Sequence, residues 1–184
     1  MRVIIASASP RRQELLRLVV HEYEVCVSGA EEMIREAQPE RMVEDLALQK
    51  AQAVASRNSD ALVIGADTLV FVDGKPLGKP ADREDARRMI KMLAGREHSV
   101  CTGVALVYGD RSLVGHEKTV VEFLPLSEEE ISDYLDEEDY KDKAGAYGIQ
   151  GAAAKLIRRI EGCFFNVVGL PVSKVYCMLK EFGR

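Results

Sequence analysis

The sequence predicts a mixed α/β protein. Three observations lead there. Short, β-branched apolar runs alternate with amphipathic stretches of helical period. Two long strand-like stretches follow each other across a two-residue turn, a step that a pure βαβ array lacks. Of the 184 residues, 47% are hydrophobic, enough for a sizeable core.

Taken in order, residues 2–6 (RVIIA) are short and apolar and predict a buried strand. A helix is expected over 10–19. Ser9 stands at the N-cap, Pro10 at the first helical position, and Leu15, Leu16 and Val19 recur at helical spacing. A strand follows near 23–28. Residues 40–57 carry Val43, Leu46, Ala47 and Val54 on one stripe and predict a second helix. The run 61–72 (ALVIGADTLVFV) predicts a strand interrupted at Gly65-Ala66-Asp67. Asp73-Gly74 should then fold LVFV back on KPLG. Asp82 can cap a helix that buries Ala86, Met89, Ile90 and Leu93. Strands over 97–108 and 112–124 flank the turn at Gly109-Asp110. Ser127 and Glu130 form a capping box ahead of Ile131, Tyr134 and Leu135. The last helix should begin near Pro171 and bury Val172, Val175, Tyr176 and Leu179.

Composition excludes several classes of function. A net charge of −5 provides no basic field, so a nucleic-acid partner is not expected. Cys26, Cys101, Cys163 and Cys177 are far apart and form no C-x-x-C, so reduced thiols are expected rather than zinc or a redox dithiol. No apolar run is long enough to span a bilayer, and no signal peptide is visible.

The segment SASPRRQELL (7–16) sets the first chemical problem. Arg11 and Arg12 fall in the first helical turn, beside the positive end of the helix, where cations are disfavoured and anions favoured. Either the two side chains splay into water, or Ser7, Ser9, the free N–H groups and two guanidinium forks together receive a phosphate. Asp67 sits inside an apolar strand and needs a partner or a task. An Asx-turn or salt bridge would satisfy it; alternatively it binds a metal or orients a water. Lys50 lies on the apolar stripe of its helix and either snorkels to the rim or meets a phosphate. GKPLGKP (74–80) is not a Walker A loop, because its spacing is short and Pro80 stands where Ser or Thr would hold magnesium. Lys79 is nonetheless a plausible point-charge contact. Glu31 and Glu32 can be exposed charges. DKAGAYGIQG (142–151) is a shaped, small-residue loop, in which Gln150 offers both a donor and an acceptor to a base edge. His21, His98 and His116 fit no nucleophile or metal pattern and are expected to be structural.

Taken together, SASPRRQELL, the glutamate after the second strand, LALQKA, VIGADTLV, GKP, GREHSVCTGVAL, DKAGAYGIQG and VVGLP occur in order over nearly the whole chain. In this ordered set the chain resembles the Maf family, named for septum formation. The resemblance implies a single Maf-like domain over 1–184. It implies a mixed, elongated, twisted sheet with flanking helices in two lobes around a central cleft, similar to the inosine-triphosphate pyrophosphatases. The implied activity is that of a cytoplasmic, homodimeric nucleoside triphosphate pyrophosphatase using Mg2+ or Mn2+. On this resemblance Asp67 is the catalytic carboxylate and Glu32 a second carboxylate near the metal. Ser7, Arg12, Lys50 and Lys79 handle phosphates, and Lys143 belongs to the signature loop. Arg11, Thr68 and Gln150 match positions tied to substrate choice. A sister group acting on 7-methyl-GTP carries tryptophan, glutamine and glutamate at those three positions. The residues here point instead to dTTP and UTP, with 7-methyl-GTP or a nucleotide-binding regulator of septation as alternatives. One departure stands out: Asp139-Tyr140 occupies a place where the family often has Glu-Pro.

Overall fold

The computed structural model describes residues 1–29 and 32–183. Strands β1 (Arg2–Ile5), β2 (Glu24–Val25), β3 (Ala61–Val72), β4 (Lys75–Leu77), β5 (Glu97–Tyr108), β6 (Arg111–Phe123) and β7 (Ile157–Glu161) form a seven-stranded mixed sheet. Its order is β2-β1-β3-β5-β6-β7, with β4 paired to β3. β1 runs parallel to both β2 and β3, whereas β3/β4 and β6/β7 are antiparallel. Six α-helices accompany the sheet among the described residues: α1 (Pro10–Arg17), α2 (Pro39–Ala55), α3 (Arg83–Leu93), α4 (Glu128–Glu137), α5 (Phe164–Val168) and α6 (Val172–Phe182). The chain divides into two compact units. The first comprises Met1–Thr68, Thr102–Glu117 and Gly169–Arg184; the second comprises Leu69–Cys101 and Lys118–Val168.

In the first unit, Ile4, Ala61, Val63, Ala105 and Val107 from three strands, with Ala6 just past β1, pack with Ala47, Ala51 and Val54 of α2. Small residues dominate this contact, so helix and sheet backbones approach closely. Gly65 makes the approach possible. A Cβ there would collide with the Ala47 carbonyl and come within 2.9 Å of the Ala51 Cβ. Gly103, on the neighbouring strand β5, would likewise collide with the Val43 carbonyl. Strand β3 therefore continues through 65–67 without the expected interruption. The glycine serves helix packing, and the backbone keeps its ladder.

The second unit has its own core of Val70, Val72, Ile90, Leu93, Val121, Phe123, Ile131, Tyr134, Tyr147 and their neighbours. Its turns follow the sequence signals. Asp73 and Gly74 both adopt positive φ, the pattern of a type I′ hairpin, and Val72 pairs with Lys75. Asp82 accepts from the Asp85 amide at 2.8 Å, and the Ser127–Glu130 capping box forms in both directions.

Three local expectations fail for physical reasons. Ser9 occupies the N-cap of α1 but makes no side-chain cap bond; the Ser7 hydroxyl instead accepts from the Ser9 amide at 3.3 Å. The strand near 23–28 shrinks to Glu24–Val25, an exposed pair at the sheet edge. In α6 the buried stripe is Val175, Met178, Leu179 and Phe182, which turns Tyr176 into solvent. No disulfide joins Cys26, Cys101, Cys163 or Cys177 among the described residues, and no described helix is long and apolar enough to cross a membrane.

Candidate active site

The residues expected to carry chemistry fall in both units. Ser7, Arg11, Arg12, Glu32, Lys50, Asp67 and Thr68 belong to the first; Lys79, Lys143 and Gln150 belong to the second. The first set is organised by β3. Alternate residues of a strand share a face, so Gly65 and Asp67 look toward α2 while Thr68 looks the other way.

On the α2 side, the Lys50 ammonium donates to Asp67 Oδ1 and lies 3.1 Å from Glu32 Oε1. The close helix–strand contact at Gly65 is what lets a side chain one turn along α2 reach a side chain two residues along β3. The Lys50 and Asp67 side chains are 14% and 9% exposed, so the lysine does not snorkel into water. Asp67 Oδ2 is buried and has no hydrogen-bond partner among the described residues. Half of this carboxylate's accepting capacity is thus held open in a place where an unsatisfied polar atom costs about 1–3 kcal/mol.

Glu32 lies outside any helix or strand and is placed indirectly. The Gln49 side-chain amide donates to the Met33 carbonyl at 2.8 Å and accepts from the Met33 amide at 3.0 Å. It also donates to Asp45 Oδ2 at 2.6 Å. Sequence reading missed this glutamine. Its signal was its place in LALQKA, next to Lys50. Glu31 lies outside the described residues.

The oxygen donors here suit a hard divalent cation. Mg2+ commonly takes one or two carboxylates, keeps waters and completes its shell with substrate phosphates. Asp67 Oδ2 and the Glu32 carboxylate match that arrangement. No group of three His, Cys, Asp or Glu side chains gathers into a self-sufficient metal cage among the described residues.

On the other face of β3, Arg12 is engaged by the protein. Its Nε donates to the Gly169 carbonyl at 2.8 Å, and Nη1 donates to the Ala66 carbonyl at 3.0 Å and to Ser7 Oγ at 3.4 Å. Nη2 donates to Thr68 Oγ1 at 2.9 Å, and Thr68 in turn meets Thr102 Oγ1 at 2.9 Å. Burial pulls the Arg12 guanidinium below its ordinary pKa; Asp67 and Glu32 hold it up, and Arg11 adds to the fall. Arg12 therefore ties the start of α1 to β3 and to Gly169. Arg11 makes no ion pair or side-chain hydrogen bond among the described residues. The α1 first turn contains no acidic side chain, which leaves its positive end open to an external anion.

In the second unit, Lys79 is largely exposed, 3.5 Å from Asp142. The Gly78 carbonyl accepts from the Gly145 amide at 2.9 Å, which fastens the GKP turn to the 142–151 loop. Lys143 is half-buried, donates to the Asp139 carbonyl and pairs with Glu138 at 2.9 Å. Glu138 Oε2 accepts from the Ala152 amide at 2.7 Å. This pair braces the loop from inside, and Gly148 and Gly151 leave it room. Gln150 is exposed. His98 is buried, with Nε2 2.7 Å from the Tyr147 hydroxyl and Nδ1 unpartnered among the described residues; burial, with Arg96 adding, lowers it to about 4. His116 pairs with Glu44 at 2.7 Å. Each of these two histidines thus has a side-chain partner within its own unit.

A family model described as Maf-like protein matches residues 2–182. A dTTP/UTP pyrophosphatase of Symbiobacterium thermophilum is 54% identical over 98% of this chain and 94% of its own length. Proteins of the same name from Bacillus velezensis and Carboxydothermus hydrogenoformans are 50% and 46% identical. Those alignments cover 99% and 100% of this chain, and 97% and 100% of the relatives. Among solved structures, the Staphylococcus aureus Ham1 protein matches with a TM-score of 0.51 at 16% identity, over 67% of this chain and 72% of that one. The last likeness is one of fold.

Proposed function

The chain belongs to the Maf-like protein family, and on that premise we propose that it hydrolyses dTTP and UTP to the nucleoside monophosphate and pyrophosphate. The observation that carries this reading is the Asp67 carboxylate, buried, with one oxygen on Lys50 and the other open. A triphosphate brings close to four negative charges, and displacement at the α-phosphorus depends on charge stabilisation and an aligned water. Asp67 Oδ2 is the acceptor that can align that water and take its proton. Asp67 and Glu32 would hold a Mg2+ or Mn2+ ion, which when bound would supply further neutralisation of the triphosphate. Lys50 moves its charge between carboxylate and phosphate, while Ser7, Arg11 and the open turn of α1 receive phosphate oxygens. Arg12 contributes its charge and one remaining Nη2 hydrogen, its other donors being committed to the protein.

Lys79, Lys143 and Gln150 are assigned to substrate binding on the family resemblance. Base preference follows from the same positions. The chain contains no tryptophan, and the cation at Arg11 disfavours a methylated, cationic purine. Gln150 can match the N3–H and a carbonyl of uracil or thymine. The cytoplasm as compartment and a homodimer as assembly belong to the same reading.

A nucleotide panel scored for pyrophosphate, with and without Mg2+ or Mn2+, tests it. Pyrophosphate should be the first product, and UTP and dTTP should exceed 7-methyl-GTP in kcat/KM by about ten-fold or more. Orthophosphate as the first product overturns the reaction; a preference for 7-methyl-GTP overturns the pocket assignment.

A further inference from the structure

We infer that Lys50 is a built-in stand-in for the divalent cation, keeping Asp67 and Glu32 from binding a metal ion until a nucleotide arrives. This rests on the pyrophosphatase reading and adds to it an order of events. The ammonium lies against Asp67 Oδ1 and 3.1 Å from Glu32 Oε1, bridging the two carboxylates that suit the metal. With it in place the three side chains sum to one negative charge; without it they sum to two. A free divalent ion approaching Asp67 Oδ2 meets that ammonium on the neighbouring oxygen of the same carboxylate. Like charges so close, beside the largely buried Lys50 and Asp67 side chains, repel strongly.

Lys50 nevertheless leaves the carboxylate unfinished. Asp67 Oδ2 is buried and unpartnered among the described residues, so the site retains an attraction for one more positive group. A triphosphate resolves the conflict. Its oxygens offer the ammonium a new partner, and the vacated carboxylates take the ion that travels with the phosphates. The true substrate is then the metal–nucleotide complex, and free metal is excluded at ordinary concentrations.

The backbone that carries the two carboxylates is held by contacts other than Lys50. Asp67 is fixed within β3, and Glu32 adjoins Met33, whose backbone is clasped by Gln49. Replacing the lysine therefore uncovers a site and leaves its ligands in place. A lysine that served only as a structural ion pair would behave differently, because its removal would weaken the fold without creating metal affinity.

The test is a titration of Mn2+ alone, followed by electron paramagnetic resonance of the free ion, with no nucleotide present. Lys50→Met and Lys50→Gln should each bind Mn2+ at least about ten-fold more tightly than the wild type. Adding Asp67→Asn to Lys50→Met should abolish the gain. Mn2+ should also raise the Tm of the Lys50 variants at concentrations that leave the wild type unmoved, and both should lose pyrophosphate release. Variants that bind Mn2+ no better than the wild type overturn the inference, as does a gain that survives Asp67→Asn. The titration contains no substrate, so it can fail while wild-type pyrophosphate release succeeds. Tightened Mn2+ binding in the variants beside an inactive wild type would support the stand-in and reject the pyrophosphatase.

Discussion

Lys50–Asp67 in the first unit and Lys143–Glu138 in the second are lysine–carboxylate pairs of nearly equal burial, with side chains 14% and 9%, and 13% and 13%, exposed. They differ in what is left over. Lys143 also holds the Asp139 carbonyl, and Glu138 Oε2 takes the Ala152 amide, so each member of that pair has a further partner in or beside its own loop. Asp67 has an oxygen to spare, and Lys50 reaches a second carboxylate. Burial alone does not separate a brace from a reaction centre. Unspent hydrogen-bonding capacity does.

The largest expected effect breaks the first pair. Asp67→Asn should lower pyrophosphate release about 10³-fold, since the amide cannot take a proton or balance a cation. Its Tm should stay within a few degrees of the wild type, because Lys50 keeps Glu32 Oε1, 3.1 Å away, as a counter-charge. Glu138→Gln should do the opposite. It leaves the Lys143 ammonium half-buried and uncompensated, at a cost of about 3 kcal/mol in urea unfolding. The double variant Glu138→Gln, Lys143→Met should recover most of that loss; no recovery would mean that the loop uses Lys143 beyond its brace.

His98 sharpens the comparison, because it too has a spare polar atom, Nδ1, but sits in the core of the second unit. It is held neutral, its pKa lowered from 6.5 to about 4 by burial first and by Arg96. The unfolded chain binds the proton more readily, so this contribution to stability is complete above pH 6.5 and is lost as pH falls toward 4. By pH 4.5 the loss should be on the order of 2 kcal/mol relative to His98→Gln. Parallel pH profiles for wild type and variant would remove His98 from the account. The smallest effect compares two serines. Ser127→Ala should cost about 1 kcal/mol, because its cap bond is made. Ser9→Ala should fall within about 0.5 kcal/mol, because its own is not.

Periodicity and turn chemistry made most elements legible in the sequence, since these signals are local. The Asp82 and Ser127 caps and the Asp73-Gly74 hairpin are decided by residues within four positions of each other. The candidate site was legible as a set of residue types and much less as a set of partners. Lys50 and Asp67 are 17 residues apart on different elements, and nothing local says that they touch. Gly65 misled for the same reason: a strand glycine that admits a helix and one that breaks a strand look alike until the helix is placed. For Arg12 the sequence offers only water or a phosphate as partner. The side chain turns inward because Ala66, Thr68 and Gly169, far along the chain, present oxygens to it. Gln49 escaped notice because the segment it clasps, at Met33, is met through backbone atoms, which leave no trace in residue identity.

Gly65 and Gly103 bear no chemistry, yet they set the floor on which α2 rests. A lineage drifting at either position meets a steep fitness wall that a survey of polar residues would overlook. Even alanine there would lift the helix and carry Lys50 away from Asp67, so a lesion in the packing would be inherited as a lesion in catalysis. Engineers seeking robustness should leave those two hydrogens alone and direct variation toward the exposed edge at Glu24–Val25.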